Sequence, residues 1–145
     1  MSLPVSLIID DGSCVNPMYW HIRLREYTYL IPNEFTNAFG DLCRRYSAKG
    51  KFSVMPMPSG LGRLDDRLSY VPQKHLAGFI RAVKTRIKPL FDITPELLTH
   101  QEAYDIASNR LMHVMEDEWV KTATAEQIAD YLVFGLKILK NVGLD

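Results

Sequence analysis

Apolar and polar positions alternate along this chain in two periods, one suited to buried strands and one to half-buried helices. The first signal is Pro4-Val5-Ser6-Leu7-Ile8-Ile9, an apolar run stopped by Asp10-Asp11-Gly12. It predicts a buried strand that ends at a loop. Ser13 to Pro32 follows with no clean period and many large side chains, among them Tyr19, Trp20 and His21. A connection of that length is a functional loop or carries short structure of its own.

From Asn33, placed as an N-cap, a helix is expected with Phe35, Ala38, Phe39, Leu42, Cys43 and Tyr46 on its buried face. Arg44, Arg45 and Lys49 crowd its end, where the helix dipole favours cations, and Gly50 stops it. Lys51 to Pro58 reads as a second strand closed by two prolines, opening into a loop from Pro58 to Tyr70. Gly60 and Gly62 in that loop lack a P-loop lysine at the required spacing, so no nucleotide site follows. Pro72 then starts a helix whose apolar set is Leu76, Phe79, Ile80, Val83 and Ile87, ended by Pro89.

A short third strand, Leu90 to Ile93, comes next, with a turn through Glu96 and His100 just beyond. Gln101 to Thr122 is the least regular stretch, either a helix around Tyr104 to Met115 or an extended excursion, and reads best as an irregular stretch with some helix. Thr124 and Gln127 form a capping box for the last helix. Its stripe is Ile128, Tyr131, Leu132, Gly135, Leu139 and Val142, broadened by Leu136 and Ile138 and stopped by Gly143. The order β-α-β-α-β-(excursion)-α defines an α/β chain with parallel strands joined by right-handed crossovers.

Composition narrows the classes. The 145 residues suffice for one domain with a real core, and 47% apolar with 23% charged is ordinary globular usage. Seventeen basic and seventeen acidic residues cancel, and no basic run gives the footprint of a nucleic-acid binder. Cys14, in a loop, and Cys43, on a helix, lack metal-type spacing and fit a reducing compartment. No apolar stretch approaches the ~18 residues of a membrane span. The start shows no basic segment or cleavage site of a signal peptide, so the expected location is cytoplasmic.

Chemistry concentrates at Asp10 and Asp11. Ligands gather at the carboxyl ends of strands in α/β sheets, and paired acids there serve as metal ligands, bases or phosphate acceptors. In the bland alternative one acid caps the turn and the other faces water. Tyr19, Trp20 and His21 are suited to covering a ring-shaped ligand such as a sugar, or else to sealing the rim of the core.

Ile8-Ile9-Asp10-Asp11-Gly12 resembles the first motif of the polysaccharide deacetylases, the chitooligosaccharide-deacetylase-like group. Lys49 to Val54 is similar to the second strand of that family, as are His100 after a third strand and the Leu139-Lys140-Asn141-Val142-Gly143 helix end. The resemblance runs along most of the chain in order, with the Asp-Asp-Gly triplet its sharpest part. It implies a distorted (β/α) barrel carrying a divalent-metal hydrolase site, zinc among the candidates, acting on an acylated carbohydrate. Asp10 would be the general base and Asp11 a metal ligand, with His100 a second ligand and His21 a weaker candidate.

Two departures shape the expectation. The family uses two histidines in its second motif, and here only His100 is present. A barrel of this kind takes about 250 residues, so residues 1–145 read as its N-terminal half, natural or truncated, and catalytically incomplete. An open sheet edge would then call for a partner copy. Three other readings stay open: a non-enzymatic binding or assembly domain, a phosphoacceptor domain using Asp92, and a glycosidase-like pair of Asp10 or Asp11 with Glu96.

Overall fold

The structure, a computed structural model, describes residues 5–16 and 30–145. Three parallel strands form one sheet in the order β1 (Leu7–Gly12), β2 (Gly50–Val54), β3 (Phe91–Pro95). Helix α1 (Asn33–Arg45) joins the first two strands, and α2 (Gln73–Ala82), continued by a π turn over Val83–Ile87, joins the second to the third. A hairpin of β4 (Glu102–Asp105) and β5 (Arg110–Met115) follows, then α3 (Glu116–Thr122) and α4 (Ala125–Asn141). The chain is therefore mixed α/β with a parallel sheet. Among the described residues the three strands do not close into a barrel.

One face of the sheet is aromatic. The rings of Phe52 on β2 and Phe91 on β3 meet Phe39 of α1 at centroid distances of 6.2 and 5.9 Å. Helix α2 packs beside α1 and buries Leu76 and Phe79, with Val83 and Ile87 buried in the π turn, as its apolar stripe requires. Helix α4 lies against β3, burying Tyr131, Gly135, Ile138 and Leu139. Its capping box forms between Thr124 and Gln127, and Gly143 takes a left-handed φ just past its end. The opposite face of the sheet carries Ile8, Asp10, Lys51, Ser53, Asp92 and Thr94, and Ile8 is exposed.

Several expectations need correction. Pro32, not Asn33, caps α1, and the Asn33 side chain instead donates to the carbonyl of His75 at 3.1 Å. The buried face of α1 centres on Gly40 and Cys43, while Phe35, Leu42 and Tyr46 are 66%, 54% and 69% exposed. The reason is Gly40. A Cβ there would stand 2.6 Å from Arg86 Cβ, so the missing side chain is where the two helices approach, and that contact sets the rotation of α1.

The second strand stops at Val54, before the prolines, and Pro58–Gly60 makes a 3-10 turn. The third runs two residues further than expected, to Pro95. Of the two alternatives for Tyr104 to Met115 the extended one holds, as a β-hairpin, and the helix of this stretch comes after it at Glu116–Thr122. Asp105 accepts from the amides of Ala107 and Ser108, and Asn109 takes a left-handed φ of 58°, so the turn is made by Asp and Asn where no glycine marks it. Cys14 is fully buried, and burial pushes its thiol up to about 12, so it is an inert core residue.

No helix among the described residues is long and apolar enough to cross a membrane.

Candidate functional site

The carboxyl end of β1 is irregular. Leu7, Ile8 and Ile9 pair in step with Gly50, Lys51 and Phe52, but Gly12 pairs with Val54, leaving Asp10 and Asp11 opposite Ser53 alone. This is a β-bulge, a device that re-aims side chains beside functional sites. Asp11 takes a left-handed φ of 62° within it. Gly12 completes the triplet for a steric reason: a Cβ there would lie 2.4 Å from the Ser53 carbonyl oxygen and 2.5 Å from the Phe52 ring.

The bulge sends the two acids to different partners. Asp10 accepts from the Ser53 hydroxyl at 3.0 Å and lies 3.5 Å from Lys51 Nζ. Ser53 is 1% exposed, and its oxygen stands 3.2 Å from Thr94 Oγ1. With the Ser53 proton spent on Asp10, Thr94 must donate to Ser53. A row of hydroxyls on β2 and β3 thus orients Asp10 on the non-aromatic face of the sheet.

Asp11 turns toward the loop after β3. Its Oδ1 is 3.4 Å from His100 Nε2, and its amide donates to Glu96 Oε2 at 3.5 Å. One oxygen from each acid and one imidazole nitrogen all lie within 4.8 Å of one another. In a tetrahedral site with bonds of ~2.1 Å, ligand atoms stand roughly 3.4 Å apart, which the His100–Asp11 separation matches. Two carboxylates and an imidazole also suit zinc or a similar divalent ion. The donor set suits such a cation in its chemistry, and the His100–Asp11 pair also in its spacing.

The loop that carries His100 is unusual. Leu98, Thr99 and Gln101 are buried, while His100 at φ 59° points outward between them. Thr99 Oγ1 donates to the Glu102 carbonyl at 2.7 Å and accepts from the Gln101 amide at 3.0 Å. The amides of Met57 and Ser59 donate to the carbonyls of Leu98 and Thr99 at 2.8 and 2.9 Å. Below the loop sits Glu116, only 3% exposed. Its Oε1 accepts from the amides of Leu98 and Thr99 at 3.0 and 2.9 Å and from the Tyr131 hydroxyl at 2.6 Å. Its Oε2 accepts from the His100 amide at 2.8 Å. Burial and the nearby Glu116 charge push the Tyr131 phenol up, which keeps it protonated and donating.

Of the residues singled out by sequence, Asp11 and His100 are brought together, while Asp10, next in the chain on the same bulge, turns to Ser53 and Lys51 and is not part of that cluster. Tyr19, Trp20 and His21 lie outside the described residues. Asp92 pairs with Lys51 near the start of β3, level with Ile8, and does not share the strand end with Asp11. That removes the geometric basis for a phosphoacceptor at Asp92. Glu96 joins the site as the third donor, a role its place just after a strand only hinted at. Ser53 and Glu116 carried no sequence signal of their own, the latter being one of three consecutive acids, Glu116 to Glu118. Comparison with protein-family models, curated proteins and solved structures finds no match, so the functional reading rests on this geometry.

Proposed function

We propose that this chain carries the site of a metal-dependent carbohydrate deacylase, a hydrolase of the amide or ester bond of an acylated sugar. The observation that supports it most is the convergence of Asp11, Glu96 and His100 at the carboxyl end of the parallel sheet, with Asp10 held one residue away. A divalent ion bound there polarises an acyl carbonyl and lowers the pKa of bound water. Asp10 is the base in this reading, its carboxylate oriented by Ser53 to take a proton. Asp11, Glu96 and His100 would hold the cation.

The strand order β1-β2-β3, all parallel, with α1 and α2 on the aromatic face, suits the first three βα units of a barrel. The polar face bearing Asp10, Ser53 and Thr94 would then look inward.

Metal binding tests the reading directly. Protein stripped with chelator and dialysed against Zn²⁺ is expected to retain one ion per chain, and Asp11→Ala and His100→Ala each to retain none. Because residues 1–145 are expected to be catalytically incomplete, metal retention is the deciding readout, and any release of acetate from an acetylated amino-sugar oligomer is expected to be lost in Asp10→Asn with the metal still bound. Wild-type protein that retains no ion would overturn the proposal and leave a binding or assembly domain as the better reading.

A further inference from the structure

We propose that Glu116 is the positioning residue of this metal site, aiming His100 from beneath through its backbone. The inference rests on the metal-site reading for its consequence, but its structural half stands alone.

Three successive amides, those of Leu98, Thr99 and His100, converge on one buried carboxylate. Consecutive N–H groups curled around an anion form a nest, and the flanking left-handed residues, Leu97 at φ 44° and His100 at φ 59°, give it that curl. Left-handed backbone at leucine and histidine is costly and persists only where the surroundings impose it. Here the imposing group is Glu116, because amide bonds to a carboxylate are charge-assisted and strong. Its own amide also donates to the Gln101 carbonyl at 2.6 Å, tying the start of α3 to the far end of the loop.

The two oxygens do different work. Oε1 takes three donors from the buried interior: Leu98, Thr99 and Tyr131. Oε2 takes the amide of His100, the residue whose imidazole reaches Asp11. A loop merely filling the core would not need its outward-facing residue fastened by a buried charge. Supporting groups behind metal ligands commonly govern affinity by 10–100-fold.

This asymmetry yields a selective variant. In Glu116→Gln the amide oxygen takes the Oε1 place, where three donors meet, and the NH₂ group faces the His100 N–H. Donor then opposes donor at His100 alone. Tyr131→Phe is the contrast, since it removes the hydroxyl that bonds Glu116 and accepts from the Tyr104 amide but leaves the His100 bond in place.

Zn²⁺ affinity is measured by competition with a chromophoric chelator, alongside the thermal midpoint. Glu116→Gln is expected to weaken Zn²⁺ binding at least tenfold. Tyr131→Phe is expected to lower the midpoint and leave affinity within about twofold of wild type. Equal affinity in Glu116→Gln and wild type, or equal loss in both variants, overturns the proposal and leaves Glu116 a core residue only.

Amide exchange in metal-free protein gives an independent decision. The His100 amide of the wild type is expected to be protected although its side chain faces solvent, and to lose that protection in Glu116→Gln. A fast-exchanging His100 amide in the wild type overturns the proposal even where the variant does not fold. If the wild type binds no Zn²⁺ while the exchange result holds, the metal reading falls and the positioning of His100 stands.

Discussion

Two regions of this molecule share one apolar core but differ in the polar groups buried beside it. Around the parallel sheet, order comes from apolar packing: Phe39, Phe52 and Phe91 meet ring to ring, and Leu76, Phe79, Val83 and Ile87 fill the space beneath the helices. Around the β4–β5 hairpin and the loop before it the core continues through Leu98, Ala103 and Tyr104, and a cluster of buried polar groups is added to it. Thr99, Gln101 and Glu116 are all buried there, and carboxylate, hydroxyl and amide bonds fasten the loop that leads into the antiparallel β4–β5 ladder. The candidate site straddles the boundary, with Asp11 from the first region and Glu96 and His100 from the stretch between β3 and the hairpin. Apolar packing is non-directional, whereas amide bonds to a carboxylate fix the direction as well as the distance of what they hold. A cavity in the first region is therefore expected to act on stability alone, whereas the polar bonds of the second act on stability and on the placement of His100.

The largest effect that separates these roles is a cavity in the first region. Phe79 is fully buried on α2 and remote in sequence from every residue of the site. Phe79→Ala is expected to cost about 3–5 kcal/mol of unfolding free energy, read from urea denaturation. Zn²⁺ affinity of the fraction that stays folded is expected to be unchanged. A variant that loses metal affinity in step with stability would erase the division between the regions.

A smaller effect lies where the loop after β2 meets the end of α4. Asp65, in the loop after β2, takes a bidentate pair from Arg63 at 2.7 and 2.9 Å and a bond from Asn141 at the end of α4 at 2.7 Å. Burial raises the Asp65 carboxyl, but the bonds from Arg63 and Asn141 outweigh it and hold the group below the usual carboxylate range. A carboxyl depressed in the folded state contributes stability that is full above its unfolded pKa of about 3.9 and is lost as pH falls through the folded value. Asp65→Asn is therefore expected to be about 1–2 kcal/mol less stable than wild type at pH 7. The gap should close as the pH drops below about 4. A gap that stays constant down to the acid limb would mean that Asp65 contributes through shape and not charge.

Legibility in the sequence followed the same boundary. Regular strands and helices write their burial as a period, so the strand–helix alternation, the stripe of α2 and the capping box of α4 were readable from residue order. The hairpin was not, because its turn relies on Asp105 and Asn109 and its loop on left-handed Leu97 and His100, none of which carries the glycine signature of such backbone. The bulge that separates Asp10 from Asp11 was hidden for the same reason. Adjacent acids on a strand suggest opposite faces, and only the pairing of Gly12 with Val54 shows the extra residue. Glu116 was beyond reach, since nothing in three consecutive acids says which one the fold will bury. The site's residue types could be nominated from sequence, but the geometry that unites them depends on contacts far apart in the chain.

The smallest effect tests where periodicity itself misleads. The apolar stripe of α1 places Phe35, Leu42 and Tyr46 on one face, and hydrophobic spacing alone assigns that face to the core. The contact of Gly40 with Arg86 rotates the helix so that Leu42 is half exposed while Cys43, the next residue, is buried. Leu42→Gln is thus expected to change stability by less than ~0.5 kcal/mol, in the range of ordinary surface substitutions. A core leucine at the same position would cost about 2–5 kcal/mol on truncation to alanine. Denaturation of Leu42→Gln beside Leu42→Ala separates these outcomes cleanly: both small if one glycine contact overrides the stripe, both large if the stripe is covered. The second result would make this helix face part of a buried surface and move the boundary between the two regions.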